Sequence, residues 1–186
     1  MAAFTENLNL FVSAGTIIGQ LFLLFVLILF LLARFSRGPS GTWADNYLKD
    51  IAKWGLPFAL AIALSGTIVS LVYSEVIGFA PCELCWIQRI FLYPQVVILG
   101  LALWKKTKDA SVYCLALSGI GAIVAAYHFY GQSFNPNALL QCGVNAGASC
   151  AVLYFVEFGY VTIPLMSLTA FLMIIVSLCL AKRADR

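Results

Sequence analysis

Five apolar stretches, each long enough to cross a bilayer, occupy most of this 186-residue chain and leave space only for connectors. They run over about 10–33, 54–77, 86–104, 110–130 and 159–181. A crossing helix needs about 20 mostly apolar residues to span roughly 30 Å of hydrocarbon. With 62% hydrophobic and 10% charged residues, a soluble domain is excluded. The expected fold class is an all-α polytopic membrane protein with five spans.

The basic residues set the orientation, because Lys and Arg favour cytoplasmic loops. Arg34, Arg37, Lys49 and Lys53 separate the first two spans; Lys105, Lys106 and Lys108 separate the third and fourth; Lys182, Arg183 and Arg186 follow the fifth. These segments alternate onto one face and hold ten of the eleven basic residues. The exception is Arg89. The net charge of +3 therefore reads as a topology signal, not as a nucleic-acid surface. No basic residue precedes the first span, so it is expected to be an uncleaved helix with its N-terminus outside, over residues 1–34. Gly15 and Gly19 within it make a small-xxx-small face for helix contact.

Residues 35–53 are expected to form a cytoplasmic linker broken at Gly38-Pro39-Ser40-Gly41, then an interfacial helix capped by Thr42. Trp43, Tyr47, Leu48, Ile51 and Trp54 would recur on one helical face, so that the helix lies in the interface; the competing reading is a polar linker with aromatic belt residues. Pro57, Pro94 and Pro164 fall inside predicted spans, and each predicts a kink. Gln20 and Gln95 are expected to hold helices together by hydrogen bonds.

Two cysteine pairs flank the spans on the non-cytoplasmic side, where disulfides persist. Cys82 and Cys85 lie in Pro81-Cys82-Glu83-Leu84-Cys85-Trp86-Ile87-Gln88-Arg89. Pro81 suits a helix start, and two cysteines three apart can close a disulfide over one turn. A helix N-terminus favours thiolate. Arg89 lies one turn beyond Cys85 on the same face, where its cation would stabilise a Cys85 thiolate or an anionic ligand. A guanidinium this near the bilayer reads as functional by default; the bland alternatives are a structural disulfide, a zinc half-site and an Arg that snorkels to headgroups.

Cys142 and Cys150 bound a glycine-containing loop. Closing it would contribute about 2.6 kcal/mol in the chain-entropy model, so a structural staple is the competing reading. Its flanks, Leu139-Leu140 and residues 151–158, are apolar enough to rest on the membrane and hold the loop near the first pair. His128, the single histidine, is placed to hydrogen-bond a quinone carbonyl, to move a proton or simply to bond a neighbouring helix. Cys114 and Cys179 read as inert small hydrophobes. Glu75 would raise nearby thiol pKa values or face the interface. No metal site is expected, since one histidine and scattered carboxylates make poor ligand sets.

The order of the pairs, with Arg four residues after the C-x-x-C, resembles the DsbB-type disulfide-bond formation proteins. The run 81–94 and the Cys142–Cys150 loop are closest to the BdbC branch. The resemblance covers about 54–181 and implies a four-helix transmembrane core over 54–186, with the first helix extra to it. It also implies an enzyme: a thiol–quinone oxidoreductase of the bacterial cytoplasmic membrane. Such an enzyme oxidises a thioredoxin-like, DsbA-type extracytoplasmic thiol oxidase and passes the electrons to ubiquinone or menaquinone. Carried over by position, Cys142 would form the mixed disulfide with the partner, Cys150 would exchange with Cys82, and Cys85 would react with quinone. Arg89 and His128 would adjoin that quinone. The chain departs from the pattern in its extra helix, its short Cys142–Cys150 ring and the lack of a pocket glutamine before the first pair. A vitamin K epoxide reductase-like enzyme would place the C-x-x-C after the loop pair, and a non-catalytic scaffold would hold two inert disulfides.

Overall fold

A computed structural model describes residues 2–35, 39–107, 110–139, 142 and 149–184. The proposed break at Gly38, the basic residues Arg37, Lys108 and Arg186, Leu140, and the loop interior 143–148 lie outside the described residues. The chain is helical, with no strand among the described residues: α1 (Ala2–Phe35), α2 (Pro39–Ala52), α3 (Gly55–Leu71), α4 (Glu83–Lys105), α5 (Ala110–Phe134) and α6 (Ile163–Ala184). All but α2 are long and apolar enough to cross a membrane. Five spans were expected, and the protein is a multi-pass membrane protein.

α3, α4, α5 and α6 pack as a four-helix bundle, α3 and α5 each lying against both α4 and α6. Its core is Ala59, Ala63, Leu92, Leu99, Cys114, Ala125, Phe171, Ile174 and Leu178. Small residues on α3 and α5 let the backbones approach, the dominant device where lipid supplies no hydrophobic drive between helices. Gly121 shows this directly: a Cβ there would run into the ring of the fully buried Phe171. Gly121→Leu is expected to overpack this layer by about 1–3 kcal/mol and lower the thermal midpoint in detergent. An unchanged midpoint would show that Phe171 has room to turn aside. Gln95 joins α4 to α5 as expected: its Oε1 accepts from Ser118 Oγ at 2.9 Å.

α1 leans on α6 and α2 and stands off from α3. Gly19 makes the close approach, since a Cβ there would meet Met173 and Thr169, whereas Gly15 has open space beside it. Only half of the small-residue motif therefore packs. Gln20 acts as expected, donating to Thr169 Oγ1 at 3.3 Å and accepting from Tyr160 OH at 2.8 Å. α1 also carries a polar stripe, Asn9, Ser13 and Thr16, buried on the face turned into the protein.

Several local expectations are corrected. α2 begins at Pro39, so Thr42 lies inside the helix and does not cap it. Ala44, Leu48 and Ala52 are its buried face, against Val26, Leu29 and Leu180. Trp43, Tyr47 and Trp54 turn outward, as aromatic belt residues do. Pro57 and Pro164 sit in the first turns of α3 and α6, where a missing N–H breaks no intrahelical bond. Only Pro94 lies inside a helix. The last span starts at Ile163, not 159, because residues 149–162 form an irregular surface segment with one isolated bridge, Glu157 to Val161.

Arg34, Lys49, Lys53, Lys105 and Arg183 all fall at one end of the bundle. Arg183 bonds Asp45 at 2.9 Å and ties α6 to α2 there. Bonding to Lys49, and then the Lys49 and Arg183 charges, holds the Asp45 carboxyl below its usual range. Both cysteine pairs lie at the opposite end.

Candidate functional site

The far end of α3 prepares this site by leaving the α-helical register. Residues 72–76 form a π-helical turn, a distortion frequent at functional sites. Gly78, at φ 85°, then turns the chain toward α4. Phe79 stacks on Tyr154 at 4.3 Å, and Tyr154 OH donates to Ala80 O at 2.7 Å. Burial, and then the nearby dithiol charge, push the Tyr154 phenol up, which keeps it a donor. The surface segment is thereby pinned to the stretch leading into the C-x-x-C.

Cys82 is the N-cap of α4, with extended backbone and a sulfur that accepts from Cys85 N at 3.4 Å. The helix start expected near Cys82 is thus observed. The two Sγ atoms lie 3.0 Å apart as a dithiol, while Cys142 and Cys150 are joined as a disulfide with Cα atoms 5.6 Å apart. Cys82, Leu139 and Cys150 form one buried cluster, with Cys85 and Cys142 packed against it. Cys150 is buried and Cys142 half-buried, so the two pairs meet through Cys150 and Cys82.

His128 sits between them, 1% exposed. Its Nε2 lies 3.0 Å from Cys150 O and 3.9 Å from Cys82 Sγ, and its Nδ1 lies 3.2 Å from Gln88 Nε2. These partners fix the tautomer: Nδ1 accepts from the Gln88 amide, so Nε2 carries the proton and donates. The Cys85 thiol, and then the His128 N–H, hold the Cys82 thiol well below its ordinary range. Cys82 is the sulfur at the cap, where the helix terminus favours an anion, and Cys85 follows within the first turn.

Arg89 donates from Nη2 to Ser70 O at 3.1 Å and lies over the Trp86 ring at 5.1 Å. That carbonyl lies near the end of α3, where it also accepts from Ser74 Oγ at 3.3 Å. Glu75 is exposed and accepts from Ser74 Oγ, away from the thiols. Cys114 is buried in the bundle core and Cys179 is exposed on α6; neither approaches another cysteine of the described residues.

A cavity of about 380 Å³ opens beside the dithiol, bounded by Cys82, Cys85, Arg89, His128, Gln132 and Thr162 at this end. This is within the ~300–1,000 Å³ typical of small-molecule sites. Thr162 Oγ1 is buried in its wall without a hydrogen-bond partner among the described residues, and so is Gln132 Oε1. Gln132 also donates to Cys150 O and Val152 O at 3.0 Å, fastening the loop. Cys82, Cys85 and His128 bring three donor atoms within 4.8 Å of one another, so the ligand set is better than the scattered carboxylates suggested.

Sequence reasoning named the four cysteines, Arg89 and His128, which the structure gathers at one end. It missed Gln88, Gln132, Tyr154 and Thr162. Gln88 is three residues after Cys85 and Gln132 four after His128, so helical spacing alone places each beside a named residue.

A thiol pair at a helix N-terminus, a second pair packed against it and a five-span membrane scaffold define a membrane dithiol–disulfide oxidoreductase. Residues 52–181 match the family described as disulfide bond formation protein DsbB, and the chain belongs to that family. It is 38% identical over 128 residues to a probable disulfide formation protein C 2 of Bacillus anthracis, covering 69% of this chain and 90% of that one. It is 39% identical to disulfide bond formation protein C of Bacillus subtilis, covering 65% and 87%. The SPbeta prophage-derived disulfide bond formation protein B of the same organism is 43% identical, covering 63% and 79%. No solved structure matches. Family membership assigns a role in disulfide formation.

Proposed function

We propose that this protein makes disulfides de novo, taking electrons from a thioredoxin-like DsbA-type thiol oxidase and delivering them to membrane quinone. The observation that carries this reading is the shared position of the Cys82–Cys85 dithiol: it packs against the loop disulfide on one side and borders the cavity on the other. The cavity suits a quinone, with mostly apolar walls and an orphaned Thr162 hydroxyl available to donate to a carbonyl. Bound there, a quinone would supply a two-electron, two-proton acceptor.

The chain's own residues then have separate tasks. Cys142, the more accessible loop sulfur, is the one a partner thiolate attacks, and Cys150 leaves as thiolate. Cys150 attacks Cys82 of the oxidised helix pair, and Cys85 leaves. Attack on the mixed disulfide by the partner's second thiol releases the oxidised partner and returns Cys142 to the thiol. Cys142 then attacks the Cys82–Cys150 bond at Cys150, which re-forms the loop disulfide and frees Cys82 beside Cys85. Two sulfurs have gained the two electrons and two protons that the partner lost, and closing the Cys82–Cys85 bond gives them up. His128 stabilises Cys82 as thiolate and holds the Cys150 backbone. Arg89 places positive charge beside Cys85 and at the cavity wall, and it contacts the quinone in this reading. His128 borders the same space, though its Nε2–H is committed to Cys150 O.

In this reading the N-terminus and both cysteine pairs face outward, and the basic end lies in the cytoplasm. It is the positive-inside rule that supports this orientation. The test is anaerobic quinone reduction by the purified protein with a reduced thioredoxin-like partner. Cys82, Cys85, Cys142 and Cys150 should each be required; turnover that survives loss of any one would overturn the relay. Arg89→Ala is expected to lower quinone turnover by about 10²-fold while exchange at Cys142 persists. Equal loss of both half-reactions would make Arg89 a purely structural tie between α4 and α3.

A further inference from the structure

The cavity does not end at the thiols. It continues along a slot between α1 and α3, with Phe11, Val12 and Gly15 on one side and Ile62, Gly66 and Val69 on the other. The slot exists because α1 packs on α6 and α2 but stands off from α3. It is bounded at both ends. Tyr73 OH donates to Asn9 Oδ1 at 2.9 Å near the thiol end, and the Phe22 and Phe58 rings meet at 5.4 Å toward the basic end. Asn9 and Tyr73 are both buried, so this clasp is a specific polar link and not a surface contact. Between the two closures the walls are mostly apolar, and their polar side chains are Thr16, Ser65, Ser70 and, from α6, Ser167 and Thr169. Thr16 Oγ1 is turned back to Val12 O and Ser65 Oγ to Ile62 O.

We propose that α1, which precedes the matched family region, builds the outer wall of the acceptor site, and that its slot with α3 holds the apolar tail of the quinone, with Gly15 setting the slot's width. This rests on the quinone reading above. The physical reason is that an apolar chain bound to a polar ring gains by leaving the bilayer only where a groove of matching polarity adjoins the ring site. The four-helix core alone would present α3's cavity face to lipid; α1 converts that face into a groove walled on both sides. Gly15 sits at the middle of the groove, and a Cβ there would meet nothing within 4 Å. A larger side chain at 15 therefore enters the slot without displacing a helix.

The experiment pairs Gly15→Phe with Leu10→Phe, an exposed position of the same helix that does not border the cavity. Two readouts are used: steady-state reduction of a long-tailed and a tailless quinone, and photolabelling by a quinone carrying a photoreactive tail. Gly15→Phe should raise KM for the tailed quinone by about 10-fold or more, leave the tailless quinone and thiol exchange at Cys142 near wild type, and reduce labelling of residues 11–16. Leu10→Phe should change none of these. Equal KM values for the two quinones in Gly15→Phe, or labelling confined to the bundle without α1, would overturn the inference. A wild-type protein that labels on α1 yet reduces no quinone would sink the enzymatic reading and leave the tail site standing. Quinone reduction without any labelling of α1 would overturn the tail site alone, and loss of both readouts in the wild-type protein would sink both.

Discussion

Cys85→Ser should stop electron delivery to quinone, a fall on the order of 10³-fold or more, because removing one nucleophile of a concerted set removes the function of the set. The reason is stoichiometric. Two electrons leave the helix pair only when its two sulfurs join, and one sulfur cannot do this. The upstream steps remain possible, since Cys142–Cys150 is already a disulfide open to a partner thiolate. The variant should therefore accept electrons once into its loop pair and then stall, and non-reducing gels should show the loop pair reduced or cross-linked to the partner. Turnover within about tenfold of wild type would mean that Cys85 is not the sulfur from which electrons depart.

The second large effect is expected at His128. His128→Ala removes the donor 3.9 Å from Cys82 and the tether to Cys150 O together. Cys82 is held low by its Cys85 neighbour first and by His128 next, so part of the depression survives and part is lost. The sign follows from the direction of the shift. A lowered thiol pKa keeps Cys82 anionic as pH falls below the ordinary thiol range, so the profile for alkylation by a small neutral reagent should move to higher pH in the variant. Transfer between the two pairs should slow by about 10²-fold, while partner attack at Cys142 is little changed. An unmoved alkylation profile would remove His128 from thiol activation. A rise in KM for quinone with the profile unchanged would return it to the role expected from the family resemblance.

The spans were legible because the bilayer demands a fixed length of apolar helix, and the basic residues were legible because they avoid the far side of it. Helix ends were less so. Pro57 and Pro164 carry the same residue type as Pro94, and only the neighbouring chain decides whether a proline opens a helix or interrupts one. On α2, periodicity gathered Trp43 and Tyr47 onto an interfacial face and they do turn outward, but it did not single out Ala44 and Ala52, which join Leu48 in packing against Val26, Leu29 and Leu180. At the site, the thiols were found from spacing, whereas the ordering of their acidities was not. Arg89 is near Cys85 in sequence, but its guanidinium is committed to Ser70 O on another helix, and the cap position of Cys82 appears only once α4 has a start. The stripe Asn9, Ser13 and Thr16 was not singled out from the sequence, although the three recur on one side of an apolar helix. Its meaning required knowing that Tyr73, 64 residues away, waits opposite Asn9.

The sulfur that opens α4 is also one that the chemistry repeatedly bonds and releases. As a thiolate it accepts the first-turn amide of Cys85; once joined to another sulfur it is neutral and a far poorer acceptor. Each turnover would therefore loosen and retie the beginning of a membrane helix. The oxidation state would be written into backbone order at the place where the acceptor arrives, giving the scaffold a means to distinguish a loaded enzyme from a spent one.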